Sequence, residues 1–416
     1  KPPRLRPQVR AADGDDGVSR WLYLLLIAAP LALILRAMGA GPLVVFVVAA
    51  LGLIPLAGLI GMATEALAER VGPSIGGLLN ATFGNAAEII IGLAALAAGL
   101  PDVVRASLAG SIIGNSLLVL GTAMVVGGWR YRRQNFDARV AGQYASMLAL
   151  VVVGLAIPSL LWTVGEGARL GQAVIRGDEF HRLSIGVSVI LLFCYVAYIA
   201  YTVFGVRAYP GDIPRIVVAE PEQPEQPEQA KASGESAAGA HGRGRAGSGR
   251  SATLSARVSE IWHGQIWAPI AVLAAVTVAT AFVSEALVGT IEPLADQVGL
   301  NPFFVGLIVL PIVGNAAEHF TAITSAAHNH MEIAMAITAG SSIQIALLAT
   351  PVLVLAGALI GSPLDLNFSL LEVAIFGLVA GLYALISLDG ESTWLEGVLL
   401  CAFYLILAVG SFFAPV

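Results

Sequence analysis

The chain has 416 residues, of which 57% are hydrophobic and 12% are charged, and its formal net charge is −6. Because soluble domains carry about 25% charged residues, this composition excludes an ordinary soluble protein and predicts an integral membrane protein that resides in a lipid bilayer. We expect no nucleic-acid partner.

The apolar segments are long and continuous. A helix needs about 20 apolar residues to cross the hydrocarbon core of a bilayer, and continuous segments favour helices over the alternating pattern of an outer-membrane barrel. We therefore predict an all-α polytopic membrane protein. Its eleven transmembrane helices are expected near 21–38, 42–67, 73–100, 102–127, 138–162, 181–206, 264–289, 300–327, 332–359, 366–388 and 393–414.

The first span follows a basic tail at residues 1–20 and ends near small residues, as a cleaved signal peptide would. Arg36 near its end and the second span directly after it favour a retained helix. All 22 Lys and Arg residues lie at or before Arg257, and 17 of them fall on the cytoplasmic side if the amino terminus is cytoplasmic. The positive-inside rule favours that orientation, and an odd number of spans then places the carboxyl terminus outside.

Between the sixth and seventh spans, residues 207–258 change abruptly in composition. Three Pro-Glu-Gln triplets at 221–229 precede a stretch rich in Gly, Ser, Ala and Arg. Such a segment buries too little apolar surface to order itself, so we interpret it as a flexible cytoplasmic linker. A cation-sensing element built on Glu220, Glu222, Glu225 and Glu228 is the alternative.

The pentapeptide Gly-Asn-Ala-Ala-Glu occurs twice, at Gly84–Glu88 and Gly314–Glu318, and each copy lies in the middle of a predicted span. A carboxylate at the bilayer centre costs roughly 3 kcal/mol on insertion scales, which makes it a functional residue by default. We therefore predict that Glu88 and Glu318 form two halves of one cation site.

The sequence around the two pentapeptides repeats with a constant offset of 230 residues: Gly110-Ser111 corresponds to Gly340-Ser341, and Leu117-Leu118 to Leu347-Leu348. The chain is therefore a duplication. The repeats, 42–206 and 264–416, each hold five predicted spans. Because five is odd, the repeats are expected to be inverted relative to each other, with the helix of 21–38 as an extra. Secondary transporters are commonly built this way, with the ion site near the midplane.

The residue types of the motif suit a hard divalent cation. Gly84 and Gly314 weaken the helix and let the backbone bend, which exposes carbonyl oxygens for the metal, while Asn85 and Asn315 add amide oxygens on the face of the glutamates. Calcium takes 6–8 oxygen ligands in flexible geometry. Pro311, which removes a backbone hydrogen bond, is expected to open the eighth span beside the site. Further candidates near the site are Ser111, Asn115, Ser341 and Gln344.

Charge balance at the same site predicts coupling to protons. Two facing carboxylates repel each other when no cation is bound, so the empty site favours protonation. Calcium must then displace protons, which is the behaviour of an antiporter. Sodium could use the same oxygens.

These residues resemble a known family. The two pentapeptides, the second followed by His319, and the segments beginning at Ser111 and Ser341 are similar to the paired signature motifs of the calcium/proton exchangers of the calcium/cation antiporter superfamily. The resemblance implies that Glu88 and Glu318 bind the transported calcium and exchange it for protons. It also implies ten core helices in two inverted repeats plus one amino-terminal helix. The Ser-x-Pro-Glu type of motif of sodium/calcium exchangers is absent, and the linker is less acidic than is usual in the family.

Other polar residues have two interpretations each. Glu65 and Glu285 occupy equivalent positions near span ends and serve either proton access or interfacial solvation. His319 titrates near neutrality and either relays protons or makes a structural hydrogen bond.

The alternatives to a calcium/proton antiporter are a sodium-coupled calcium exchanger, a divalent-cation channel and, least favoured, an intramembrane zinc hydrolase built on His328-Asn329-His330. We predict no enzymatic activity and no cofactor, with Ca²⁺ and H⁺ as the transported ions. The sequence leaves a homo-oligomer open. The bacterial inner membrane is the expected location.

Overall fold

The computed structural model describes residues 24–167, 177–206, 267–299 and 301–413. The predicted tail at 1–20 and the predicted linker at 207–258 lie outside the described residues, as does the beginning of the predicted span 21–38. Within the described residues the fold is helical apart from two short strands.

In the first half of the chain, Pro42, Pro73 and Pro101 each begin a helix, where the backbone N–H that proline lacks would have no partner within the helix. Its elements are α1 (Ala28–Ala37), α2 (Pro42–Val71), α3 (Pro73–Phe83), α4 (Ala86–Ala97), α5 (Pro101–Gly114), the π-helical turn π1 (Asn115–Val119), α6 (Leu120–Tyr131), β1 (Arg133–Asn135), α7 (Ala138–Gly167) and α8 (Asp178–Thr202).

The second half ends with two helices that begin at capping boxes, Ser369 with Glu372 and Thr393 with Glu396. Its elements are α9 (Trp267–Val288), α10 (Ile291–Val298), α11 (Pro302–Phe304), π2 (Val305–Val309), α12 (Leu310–Gly314), α13 (Ala316–Ala327), α14 (Met331–Gln344), π3 (Ile345–Ala349), α15 (Thr350–Ile360), α16 (Leu370–Ile386), β2 (Glu391–Thr393) and α17 (Trp394–Phe412).

The helices of the structure match the predicted spans in part. Among the described residues, eight helices are long and apolar enough to cross a membrane, or nine when Pro302–Gly314 and Ala316–Ala327, which meet at 62°, count as one broken span. The predicted spans 21–38 and 366–388 correspond to apolar helices of only 10 and 17 residues. The fold is thus a mostly helical, polytopic membrane architecture.

The offset of 230 residues is also visible in the backbone. Asn85 and Asn315 interrupt their spans with nearly identical dihedral angles, φ −97° and ψ 17° against φ −93° and ψ 17°. The π-helical turns π1 and π3 have the same offset. The prediction that glycine bends the helix needs correction, since Gly84 keeps α-helical angles of φ −54° and ψ −38° and the asparagine after it carries the break.

The second break has an additional cause in Pro311. Proline has no N–H to donate and its ring clashes with the carbonyl four residues earlier, here that of Leu307. The chain widens into π2 at that point. Gly110 packs against the Leu307 carbonyl so closely that a Cβ on it would lie 2.0 Å from the oxygen. Pro311 therefore opens the helix as predicted, and a glycine of the other half covers the opening.

A two-stranded antiparallel ribbon marks one face of the helical bundle. β1 pairs with β2 in the register Arg133 to Thr393, and the Arg133 guanidinium contacts the Glu391 carboxylate at 2.8 Å. The end of α13 meets the ribbon as well, because Gln134 Nε2 donates to the carbonyl of Ala326 at 2.8 Å. We call this side of the molecule the ribbon face.

The extra helix α1 packs against the long pair α2 and α9. A Cβ on Gly52 of α2 would lie 2.7 Å from the backbone nitrogen of Ala29, so the two helices touch along their backbones. Arg36 of α1 contacts Glu285 of α9 at 2.9 Å. These contacts join α1 to both halves of the chain, which places it within the folded bundle.

Candidate functional site

The two helix breaks place Glu88 and Glu318 in the first turns of α4 and α13. The amino terminus of a helix carries a partial positive charge of about half a unit from its unpaired N–H groups. Both carboxylates therefore lie where the backbone offsets part of their mutual repulsion. This local geometry follows from the asparagine that ends the preceding helix in each half.

Glu88 is buried, with 8% of its surface exposed, and neither of its carboxylate oxygens has a hydrogen-bond partner among the described residues. Its side chain reaches the other half of the chain: a Cβ on Gly314 would lie 3.3 Å from Glu88 Cγ. Glu318 is half-buried and close enough to Glu88 for the two charges to repel each other. A buried carboxylate without donors requires a cation or a proton to offset its desolvation.

The Asn315 amide is held by three side chains from two neighbouring helices. Its Nδ2 donates to Ser111 Oγ at 3.1 Å and to the carbonyl of Pro311 at 3.0 Å. Its Oδ1 accepts from Ser341 Oγ at 3.4 Å and from Asn115 Nδ2 at 3.5 Å. The structure therefore brings these four predicted site residues together in one buried cluster at the break in the eighth span.

Asn85 has a different partner, which makes the two halves of the site unequal. Its Nδ2 donates to Gln344 Oε1 at 2.7 Å, and no described donor contacts its Oδ1. The hydroxyl of Tyr198 on α8 interacts with the Gln344 side chain as well. By the offset of 230, the counterpart of Gln344 is Gly114, which has no side chain, so Asn315 has no equivalent of the bond between Asn85 and Gln344. Asn85 Oδ1 is left available as a neutral oxygen ligand.

The residues predicted for the pathway lie apart from this cluster. Glu285 is exposed and contacts Arg36. Glu65 on α2 is exposed and, within the described residues, makes no ion pair. His319 is half-buried, and no described residue forms a hydrogen bond with its ring, so both interpretations of His319 stay predictions.

The sequence prediction missed Tyr198 because no local pattern distinguishes it from other aromatic residues in an apolar span. The described residues contain no group of three or more His, Cys, Asp or Glu side chains arranged to hold a metal. His328, considered for a zinc hydrolase, instead places its Nδ1 2.8 Å from the carbonyl of Thr324. The site consists of two carboxylates surrounded by amides and hydroxyls.

Comparison with known proteins gives this arrangement a family. The sodium/calcium exchanger protein family matches residues 41–204 and 268–413, which hold both pentapeptides. The chain belongs to this family.

Among its relatives, a "Ca(2+)/H(+) antiporter" of Synechocystis is 40% identical over 95% of this chain and 98% of its own. The "Ca(2+)/H(+) antiporter ChaA" of Bacillus subtilis is 37% identical over 94% and 99%. The solved structure of native YfkE has a TM-score of 0.71 and 34% identity, covering 94% of this chain and 100% of its own.

Proposed function

We propose that this chain exchanges Ca²⁺ for H⁺ across a membrane by alternating access, with Glu88 and Glu318 binding calcium and protons in turn. The observation that carries the proposal is the buried Glu88 carboxylate, which has no protein donor and lies beside Glu318. Relatives of nearly the same length that are named Ca²⁺/H⁺ antiporters support the choice of ions.

The donor set fits calcium. Four carboxylate oxygens and Asn85 Oδ1 supply five oxygen ligands, and calcium takes 6–8 at 2.3–2.6 Å with tolerant geometry. Asn315 contributes differently, because its oxygen already accepts two weak hydrogen bonds. It orients the backbone at the break and becomes a ligand only when Ser341 and Asn115 release it.

Exchange follows from the charges. Without calcium, two neighbouring carboxylates in a poorly hydrated site lower their free energy by taking up protons. Calcium offers two positive charges to the same oxygens, so binding one ion releases the protons. The same two glutamates then carry either cargo through the membrane, and a state that holds both is disfavoured.

The wider organisation belongs to the same proposal. Eleven crossings comprise the extra helix of 21–38 and two inverted five-helix repeats, 42–206 and 264–416. The amino terminus and the ribbon face are cytoplasmic, the carboxyl terminus lies outside, and the membrane is the bacterial inner membrane. The matching breaks at Asn85 and Asn315 and the uneven distribution of Lys and Arg support this arrangement.

A transport assay tests the choice of coupling ion. The purified protein is reconstituted into liposomes that contain a calcium indicator, and either a pH gradient or a sodium gradient is imposed. We expect the pH gradient alone to drive calcium uptake and an added protonophore to abolish it. Uptake on the sodium gradient alone would favour a sodium-coupled exchanger, in line with the family's name. Calcium flux without any gradient of a second ion would favour a channel.

A further inference from the structure

Helix α13 has a polar face that its counterpart α4 lacks. Glu318, Thr321, Ser325 and His328 follow one another at spacings of three and four residues. At 100° per residue, these positions fall within about 80° of one another around the helix axis. The positions that correspond by the offset of 230 are Glu88, Ile91, Ala95 and Ala98, which are apolar after the glutamate.

The two faces also differ in exposure over their first three positions. Thr321 is exposed, and Glu318 and Ser325 are half-buried. In contrast, Glu88 is 8% exposed, Ile91 3% and Ala95 0%. At the fourth position both His328 and Ala98 are exposed. The two helices pack against different neighbours: α4 packs closely on α9, whereas α13 packs mainly on α6 and α14 and less on α2. The polar face of α13 is thus accessible at Thr321 and Ser325, where the matching positions of α4 are buried.

The hydroxyls on the exposed face of α13 keep their oxygen lone pairs free. Thr321 Oγ1 donates to the carbonyl of Ala317 at 2.9 Å, and Ser325 Oγ donates to that of Thr321 at 2.8 Å. Because each hydroxyl proton is used within the helix, the oxygen lone pairs remain for an external donor. Lipid chains offer no such donor, whereas water and cations do.

The length and the end point of this face fit a path from the membrane centre to one surface. Ten residues of helix between Glu318 and His328 span about 15 Å, which is half of a hydrocarbon core of about 30 Å. The face ends at the loop where Gln134 Nε2 contacts Asn329 Oδ1 at 3.2 Å, on the ribbon face.

We infer that Thr321, Ser325 and His328 line a hydrated path by which cations pass between the ribbon face and Glu318. Thr321 and Ser325 act as transient oxygen ligands that replace part of the ion's water shell. The inference deepens the proposed function, since it rests on Glu318 as a cation ligand. In this conformation, cations reach the glutamates along α13 of the second half of the chain and not along α4 of the first half.

Cysteine accessibility tests the path without requiring transport. In a background that lacks both native cysteines (Cys194→Ser, Cys401→Ser), Thr321→Cys and Ser325→Cys are compared with the matched variants Ile91→Cys and Ala95→Cys. Phe320→Cys is the lipid control, because Phe320 is 47% exposed on a different face of α13. A charged, membrane-impermeant methanethiosulfonate reagent is added to one side of sealed vesicles at a time.

Only an ionised, water-accessible thiol reacts with such a reagent, so we expect Thr321→Cys and Ser325→Cys to react at least about tenfold faster than the three other variants. They should react only from the ribbon face, identified by the accessibility of a cysteine placed at Arg133. Equal rates for Thr321→Cys and Phe320→Cys, or reaction from the opposite side, would overturn the path. Normal transport by Glu318→Gln would instead remove the glutamate from the site and leave the labelling result intact.

Discussion

The side-chain amide of Asn85 donates a 2.7 Å hydrogen bond to Oε1 of Gln344, which lies 259 residues further along the chain. This bond fixes the orientation of the Asn85 amide. The amide nitrogen is turned towards Gln344, and the oxygen is free to contact a cation. One half of the site is thus oriented by a residue of the other half.

Replacing Gln344 with Ala should weaken calcium binding. Loss of a hydrogen bond that leaves a buried donor unpaired costs about 1–3 kcal/mol, and the Asn85 amide then rotates freely. We expect the calcium concentration for half-maximal uptake to rise about tenfold. Ser116→Ala is the matched control, because Ser116 Oγ makes only a 3.4 Å contact with Ser342. An unchanged calcium dependence in Gln344→Ala would show that Asn85 needs no such orientation.

Glu88→Gln should abolish calcium transport while preserving the fold. The substitution keeps the shape of the side chain and removes a buried charge that has no protein donor, so the melting temperature without calcium should not fall. A ligand at 100 times its Kd stabilises the native protein by about 2.7 kcal/mol, and this calcium-dependent rise in melting temperature should disappear. Glu292→Gln, at an exposed position on α10, should retain the rise. A calcium-dependent shift in Glu88→Gln would place the ion elsewhere.

Calcium affinity should fall as the pH falls. Protons and calcium compete for the same carboxylates, so acidic solution favours the protonated, calcium-free protein. Each proton displaced per calcium contributes about a tenfold change in apparent Kd for each pH unit in the range where the site is protonated. Calcium titrations followed by thermal melting at several pH values measure the slope. A Kd that stays constant across this range would separate calcium binding from proton release.

Gly110 should tolerate no side chain, whereas its counterpart Gly340 should tolerate one. A Cβ on Gly110 would lie 2.0 Å from the Leu307 carbonyl oxygen, but the nearest atom to a Cβ on Gly340 is the Tyr198 hydroxyl at 4.0 Å. Overpacking of this kind costs about 1–3 kcal/mol or more. We expect Gly110→Ala to lower the melting temperature and the yield of folded protein clearly more than Gly340→Ala. Similar losses in both variants would contradict the close contact at the break.

The sequence carried enough information to group the residues of the site. The constant offset of 230 led to the expectation that Ser111 and Ser341 lie beside the motif asparagines, and Asn315 indeed contacts both. Their roles in ion binding stay predictions. The polar face of α13 was also readable, since Thr321 and Ser325 stand where Ile91 and Ala95 stand in the first half. The structure was needed to show that Thr321 and Ser325 are accessible while Ile91 and Ala95 are buried.

Other features had no usable signal in the sequence. Glycine is the residue with the weakest helix propensity in the motif, yet Gly84 stays α-helical and the break occurs at the asparagine after it. A π-helical turn depends on tertiary contacts more than on local propensity, so π1 and π3 were not foreseen. Tyr198 of α8 interacts with Gln344 of α14, and no spacing along the chain encodes that contact.

Two of the three π-helical turns correspond to each other in the two halves of the chain, and the third has no counterpart. Asn115–Val119 and Ile345–Ala349 stand at the same place in both halves, which indicates that this irregularity existed in the ancestral gene before it doubled. Val305–Val309 has no such twin, because the corresponding residues 75–79 belong to the regular helix Pro73–Phe83. This turn and the proline beside it are one mark of the divergence by which two originally interchangeable copies became specialised.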